Sequence, residues 1–224
     1  AMLHRNYFAP MLVETGFADA VLSGLTRNYP DSITPFLQII GKKDTNRIVS
    51  GMYIVITKQG PLFLADCTVN KTVCENDLVD ITLLAAEEIR KFKIEPRIAM
   101  LSYSNFGSIK SESTDCQRKA VQILHEKYPE LIVDGEMQAS IALDQELMLN
   151  NFPFSKLIGK NPNTLIFPNL AAANISQKLL QEIGNLEVIG PILTGMKKSA
   201  HVLRMGSSVK EIVNMIMVAG MNAE

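Results

Sequence analysis

From Pro96 onward the chain repeats one rhythm, in which a short apolar run is followed by a stretch of helical period and then by another apolar run. Ile98-Ala-Met-Leu101 leads to helical spacing over Thr114 to Lys127, then to Leu131-Ile-Val133 and a helix near Ala139 to Asn150. The run Thr164-Leu-Ile-Phe167 and a helix from Ala171 to Ile183 complete the series. Parallel strands cannot be joined by a tight turn and need a long crossover, so this alternation predicts crossover units with helices covering both faces of a sheet. The expected fold class is α/β, a three-layer α/β/α arrangement with a mostly parallel sheet.

The flanking segments read differently. Met52-Tyr-Ile-Val-Ile56 and Leu62-Phe-Leu-Ala65, joined around Gly60-Pro61, predict two antiparallel strands. Leu78, Ile81, Leu84, Ala85 and Ile89 recur at helical spacing between Asp77 and Phe92, with Asn76 as the expected N-cap. Near the end come Val188 to Leu193, a short strand His201-Val-Leu203 and a helix from Ser208 through Ala219. Ser208 followed three residues later by Glu211 reads as a capping box. There is no internal repeat and no low-complexity linker, so a subdomain boundary is expected in short loops such as Gly41 to Asn46 and Ile189 to Gly195.

Composition removes several function classes. The formal net charge is −1 and no basic stripe runs along either half, so nucleic acid is not an expected partner. Cys67, Cys74 and Cys116 are odd in number and form no CxxC pair, which suits reduced thiols in the cytoplasm better than disulfides or zinc. No apolar run approaches the roughly 20 residues that cross a bilayer, so no membrane partner is expected. The chain opens on Ala1-Met2 and passes at once into apolar sequence, which suggests a segment of something larger.

In open α/β sheets ligands gather beyond the carboxyl ends of the strands, so the loops after the apolar runs are the places to inspect. Ser102-Tyr-Ser-Asn-Phe-Gly-Ser108 offers hydroxyls, an amide and glycine, groups that cradle a phosphate or simply make a polar loop. Asp134 and Glu136 flank Gly135 after the next strand, where turn formation explains them better than metal or acid/base work. Phe167 to Asn174 and Leu203-Arg-Met-Gly-Ser-Ser208 follow the later strands. The nucleotide, zinc-protease and hydrolase motifs GxGxxG, GxxxxGK[ST], HExxH and GxSxG are all absent. The three histidines are far apart in sequence, and the eleven methionines scatter through apolar positions as core filler.

In their order, Asp19-Ala-Val-Leu-Ser-Gly24, Phe63 to Asn70, Met100 to Ser108, Val133 to Gln138, Leu165 to Asn169 and Ile189 to Leu193 resemble the phosphate acetyltransferase family. Asn105-Phe-Gly107, Asn151 to Ser155 and Glu211 to Met215 are more similar to the phosphotransacetylase-like tail of bacterial hybrid malic enzymes. The resemblance implies a cleft between two subdomains, residues 1–42 with 189–224 (incomplete on the N-terminal side) and residues 43–188. Ligand-binding residues implied by it are Ser102, Ser104, Asn105, Gly107, Asn169, Asn174, Arg204, Met205 and Gly206, with no metal site.

Active members resemble one another in a Ser-Arg-Gly pattern, whose Arg binds phosphate, and in an Asp base on the last helix. Here Met205 precedes Gly206, Arg204 lies one place earlier, Glu211 stands at the Asp position and Thr34 at a frequent Arg position before Pro35. Losing cations at a phosphate removes several kcal/mol of barrier stabilisation. The resemblance therefore implies a regulatory, oligomerising domain that binds acetyl-CoA or coenzyme A without acetyl transfer. Its expected partners are a malic enzyme catalytic domain, which would hold NADP and a divalent metal outside this chain, and a second copy in a homodimer or larger homo-oligomer. An active phosphate acetyltransferase and a purely structural module are the alternatives.

Overall fold

The computed structural model describes residues 5–43 and 48–223. Helices α1 (Arg5–Glu14) and α2 (Tyr29–Ile39) enclose strand β1 (Ala20–Gly24); none of the three was read from the sequence. A hairpin, β2 (Ser50–Thr57) and β3 (Gly60–Ala65), leads to α3 (Glu75–Lys91), β4 (Arg97–Leu101), α4 (Glu112–Lys127) and β5 (Ile132–Met137). Then follow α5 (Ala139–Leu143), α6 (Gln145–Asn151), β6 (Thr164–Ile166), α7 (Leu170–Gly184), β7 (Glu187–Thr194), β8 (Ser199–Leu203) and α8 (Val209–Met221).

The main sheet has six strands in the order β5-β4-β6-β3-β2-β7. β5, β4, β6 and β3 run parallel, and the hairpin makes β2 antiparallel to β3, with β7 antiparallel to β2. Both faces are buried, so successive residues of a strand serve different cores. Phe63 and Ala65 join Leu78, Ile98 and Leu124 beneath α3 and α4, while Leu64 between them joins Leu165, Met137 and Ala173 beneath α5 to α7. That double burial explains why these strands read as continuous apolar runs. β1 and β8 form a separate parallel pair around a third core of Val21, Phe36, Ile40 and Val202.

Local capping moves several expected boundaries. α3 is capped at Cys74 instead of Asn76, because the Asp77 carboxylate accepts the Cys74 N–H at 2.9 Å. The expected helix over Ala139 to Asn150 breaks at Asp144, which adopts an extended conformation and accepts the Leu147 N–H at 2.9 Å to start α6. β5 continues to Met137, so Asp134 and Glu136 stand within the strand and not in the loop after it. The expected division at residue 189 falls inside β7, whereas residues 44–47 of the other expected boundary loop lie outside the described residues. Among the described residues no helix is long and apolar enough to cross a membrane.

Candidate functional site

A cleft of about 1120 Å³ opens between the two sheets. Its construction starts at Asp66, directly after β3. The Asp66 carboxylate is buried and accepts the backbone N–H groups of Gly51 (2.9 Å), Thr68 (2.9 Å), Val69 (3.1 Å) and Asn70 (2.8 Å). A carboxylate with four oriented donors pins the turn that places Thr68, Val69 and Lys71 on the cleft wall. Position 51 must be glycine, because a Cβ there would lie 1.6 Å from Thr68 Oγ1. The opposite wall is the N-terminal end of α2, and the Tyr29 hydroxyl meets Thr68 Oγ1 across the cleft at 3.3 Å. Burial pushes the Tyr29 and Tyr53 hydroxyls well above the ordinary phenol range, so both rings line the cleft as neutral groups.

The third side is the loop between β8 and α8. The Arg204 guanidinium is paired with the Glu211 carboxylate and donates to Gln181 Oε1 at 3.1 Å. Glu211 uses its other oxygen to accept the Ser208 N–H at 2.7 Å, while Ser208 Oγ accepts the Glu211 N–H at 3.2 Å, closing the expected capping box. Glu211 is therefore engaged at both oxygens, and the Arg204 charge is compensated from within the protein. Met205 beside it is 62% exposed and contributes apolar surface. Replacing Arg204 by Met is expected to cost about 2 kcal/mol of stability, because Glu211 then loses its counter-charge in a partly buried site. Denaturant titration of the variant checks this, and an unchanged midpoint would remove the pair from the account.

Around the cleft the uncompensated charge has one sign. Among the described residues Arg27, Lys71 and Lys178 line it beside the Glu211-paired Arg204 and no carboxylate does, while Ile33, Leu37, Leu170 and Ile175 supply apolar surface between them. Such a cleft concentrates anions and offers an apolar track to a long ligand.

The sequence-derived site residues divide into separate places. Asn174, Arg204 and Met205 line this cleft together. Gly206 follows them at φ +75°, where a side chain would be strained, and Thr34 commits its hydroxyl to the Pro30 carbonyl at 2.8 Å. The loop after β4 is knit to β5: Ser104 Oγ and the Gly107 N–H donate to buried Glu136 Oε1 at 2.9 and 2.7 Å, and Asn105 Oδ1 accepts the Gln138 N–H at 2.8 Å. Ser102, Ser104, Asn105 and Gly107 are not among the cleft residues. Asn169 caps α7 by accepting the Ala172 N–H at 2.9 Å and borders another cavity of about 730 Å³ beside Cys74, Cys116 and Gln117. Asp134 accepts from Ser155 Oγ at 2.7 Å and the Lys156 N–H at 2.8 Å, in keeping with the structural reading of that acidic pair. Among the described residues no group of three or more acidic, histidine or cysteine side chains could hold a metal ion. Arg27, Tyr29, Tyr53, Lys71 and Lys178 were not singled out from the sequence. Arg27 and Lys71 do lie just beyond the segments Asp19–Gly24 and Phe63–Asn70, which are the signal that pointed toward them.

Comparison with known proteins follows the same lines. The chain is 40% identical over 221 residues to the NADP-dependent malic enzyme of Haemophilus influenzae, covering 99% of this chain and 29% of that enzyme. It is 37% identical over 223 residues to the phosphate acetyltransferase of Bacillus subtilis, covering 100% of this chain and 69% of that protein. Among solved structures it superimposes on a phosphotransacetylase from Streptococcus pyogenes with a TM-score of 0.91 and 35% identity, covering 97% of this chain and 67% of that one. The EutD phosphotransacetylase from Staphylococcus aureus gives a TM-score of 0.87 and 32% identity, with 98% and 67% covered. Residues 1–220 match the family described as phosphate acetyl/butaryl transferase, and the chain belongs to that family.

Proposed function

We propose that this chain is a regulatory domain that binds acetyl-CoA in the cleft between its sheets and does not transfer the acetyl group. The observation that carries the reading is the Arg204–Glu211 pair: the cation nearest the loop before α8 and the carboxylate at the expected base position neutralise each other. A catalytic base must be free to take a proton, and the Ser-Arg-Gly loop of active members keeps its cation for phosphate; at the loop before α8 both groups are here engaged with each other. The cationic rim and apolar lining support an elongated anion with an apolar tail, which is the chemistry of an acyl-coenzyme A. Similarity to malic enzymes, of which the chain spans under a third, supports placing the domain in a cytoplasmic malic enzyme that uses NADP and a divalent metal in its own catalytic part, assembled as a homodimer or larger oligomer.

The second reading, an active phosphate acetyltransferase, is favoured by the 37% identity to the B. subtilis enzyme over 69% of its length. Calorimetric titration with acetyl-CoA, run beside an assay for acetyl phosphate formed from acetyl-CoA and phosphate, separates the two. Saturable binding without turnover is the expected result; turnover would replace the regulatory reading with the enzymatic one. Reversing both rim charges, Lys71→Glu with Lys178→Glu, is expected to weaken acetyl-CoA binding about 30-fold or more at low salt while moving stability by less than about 0.5 kcal/mol. Unchanged affinity in that double variant would take the ligand out of this cleft.

A further inference from the structure

We propose that Cys74 and Cys116 are a modification site, a thiol pair that a small-molecule disulfide such as oxidised glutathione converts to an intramolecular disulfide joining the start of α3 to α4. The topology brings the two together. β3 and β4 run the same way, each paired parallel with β6, and α3 and α4 follow them, so both helices begin at the same end of the sheet. Cys74 caps α3, and Cys116 lies in the second turn of α4. Both border one cavity of about 730 Å³, whose lining shares no residue with the cationic cleft.

The Cys116 thiol donates to the Val73 carbonyl oxygen at 3.7 Å. Across a trans peptide that oxygen is about 2.8 Å from the Cα of the next residue, which places the Cys116 sulfur within about 6.5 Å of the Cys74 Cα. Cys74 is exposed, so rotation about its Cα–Cβ bond swings its own sulfur through the shared cavity toward Cys116. The third cysteine is placed differently. Cys67 is fully buried in the core beneath α5 to α7 and donates to the Leu64 carbonyl at 3.5 Å, out of reach of a dissolved reagent.

The exposed Cys74 thiolate attacks one sulfur of the oxidant, forming a mixed disulfide and releasing one glutathione thiolate. Cys116 then gives its proton to water and its sulfur attacks the Cys74 sulfur, releasing the second glutathione thiolate, which takes up a proton. In sum two protein thiols lose two electrons and two protons, and one glutathione disulfide becomes two glutathione thiols. Burial, with the Glu75 carboxylate and Cys74 next in effect, raises the Cys116 pKa to about 11. That slows the second step, and it also makes Cys116 a poor leaving group, so the bond once formed is slow to be reduced. Lys71 of the cleft wall lies between the Asp66 turn and Cys74, and the bond would fix that segment at both ends. The proposal is independent of the acetyl-CoA reading.

Incubating the reduced 224-residue chain with oxidised glutathione under native conditions tests it, followed by intact mass, thiol titration and peptide mapping. The expected product has lost two hydrogens, keeps one titratable thiol of the original three after denaturation, and yields a peptide linking Cys74 to Cys116. Excess dithiothreitol should restore all three. The oxidised chain should melt about 5–10 °C above the reduced one, because the link closes a loop of about 40 residues. Cys116→Ser should show neither the link nor the shift and should stop at a glutathione adduct on Cys74. A parent that keeps three thiols or a lasting adduct overturns the proposal. So does a link that forms only in urea, a link between two chains, or oxidation without a rise in Tm.

Discussion

Replacing Asp66 by alanine is expected to destabilise the chain by about 4 kcal/mol, a fall of roughly 8–16 °C in Tm for a domain of this size. The buried carboxylate gathers the N–H groups of Gly51, Thr68, Val69 and Asn70, together with the Asn70 side-chain amide. Alanine leaves those donors without an acceptor where water cannot easily replace it, and each unmet donor costs about 1–3 kcal/mol before relaxation. Asp66→Asn is expected to be little better. Every neighbour of the carboxylate is a donor, so the new amide must direct its own NH₂ at N–H groups. Because the same turn positions Thr68, Val69 and Lys71, the variant should also lose ligand affinity even where it remains folded. Thermal unfolding followed by circular dichroism checks the first effect; a Tm within about 2 °C of the parent would mean that the turn is held by other contacts.

The central fold was legible because its strands are buried on two faces. Ile98-Ala-Met-Leu101 and Thr164-Leu-Ile contribute side chains to both large cores, so an unbroken apolar run of strand length between two helices marks a strand covered on each side. The N-terminal quarter was not legible for the opposite reason. β1 is half-exposed with a mixed pattern, and α1, with Pro10 inside it, has little helical period; α2 does carry Ile33, Phe36, Leu37 and, at its C-cap, Ile40 at helical spacing, but Pro30 and Pro35 read as breakers although Pro30 sits in its first turn, where proline is tolerated. Helix boundaries shifted wherever a side chain captured a backbone N–H, as at Asp77 and Asp144, an event that depends on local dihedral angles more than on periodicity.

The site was legible in part. Arg204 and Met205 were found from a loop that precedes a well-marked capping box, and Asn174 from the loop after β6. The loop after β4 looked equally promising by residue type, yet its polar groups turn inward because Glu136, buried in β5, needs donors and Ser104 and Gly107 provide them. A buried acceptor from another strand cannot be seen in the loop's own sequence. Nor could the charge on the cleft be read, since Arg27, Lys71, Lys178 and Arg204 come from four separate segments that only the tertiary fold brings to one opening. Family membership follows from the whole ordered chain, whereas the proposed loss of acetyl transfer rests on one ion pair that had to be located in space.

Acidification is expected to destabilise the chain through His201 by roughly 3 kcal/mol between pH 6.5 and pH 4. His201 is 1% exposed on β8, and its Nδ1 accepts the Leu193 N–H at 3.1 Å, which places the ring proton on Nε2 facing Ser199 Oγ at 3.4 Å. Ser199 in turn donates to the Ala219 carbonyl at 2.9 Å, so the neutral imidazole links β7, β8 and the end of α8. Burial, reinforced by the nearby Lys91 charge, pushes the His201 pKa down to about 4. The sign follows from proton counting. Below the ordinary histidine pKa the unfolded chain binds a proton that the folded chain refuses, so stability is fully present above about pH 6.5 and drains away as pH falls toward 4. Protonation would also abolish the acceptor at Nδ1 and leave the buried Leu193 N–H facing a second donor. Urea unfolding of the parent and of His201→Gln at pH 7 and pH 4.5 measures the effect, because carboxylates elsewhere contribute equally to both and cancel in the difference. The parent should lose about 2–3 kcal/mol more than the variant over that interval; equal losses would mean that the imidazole takes up its proton in the folded state and that its contact with Leu193 does not govern acid stability.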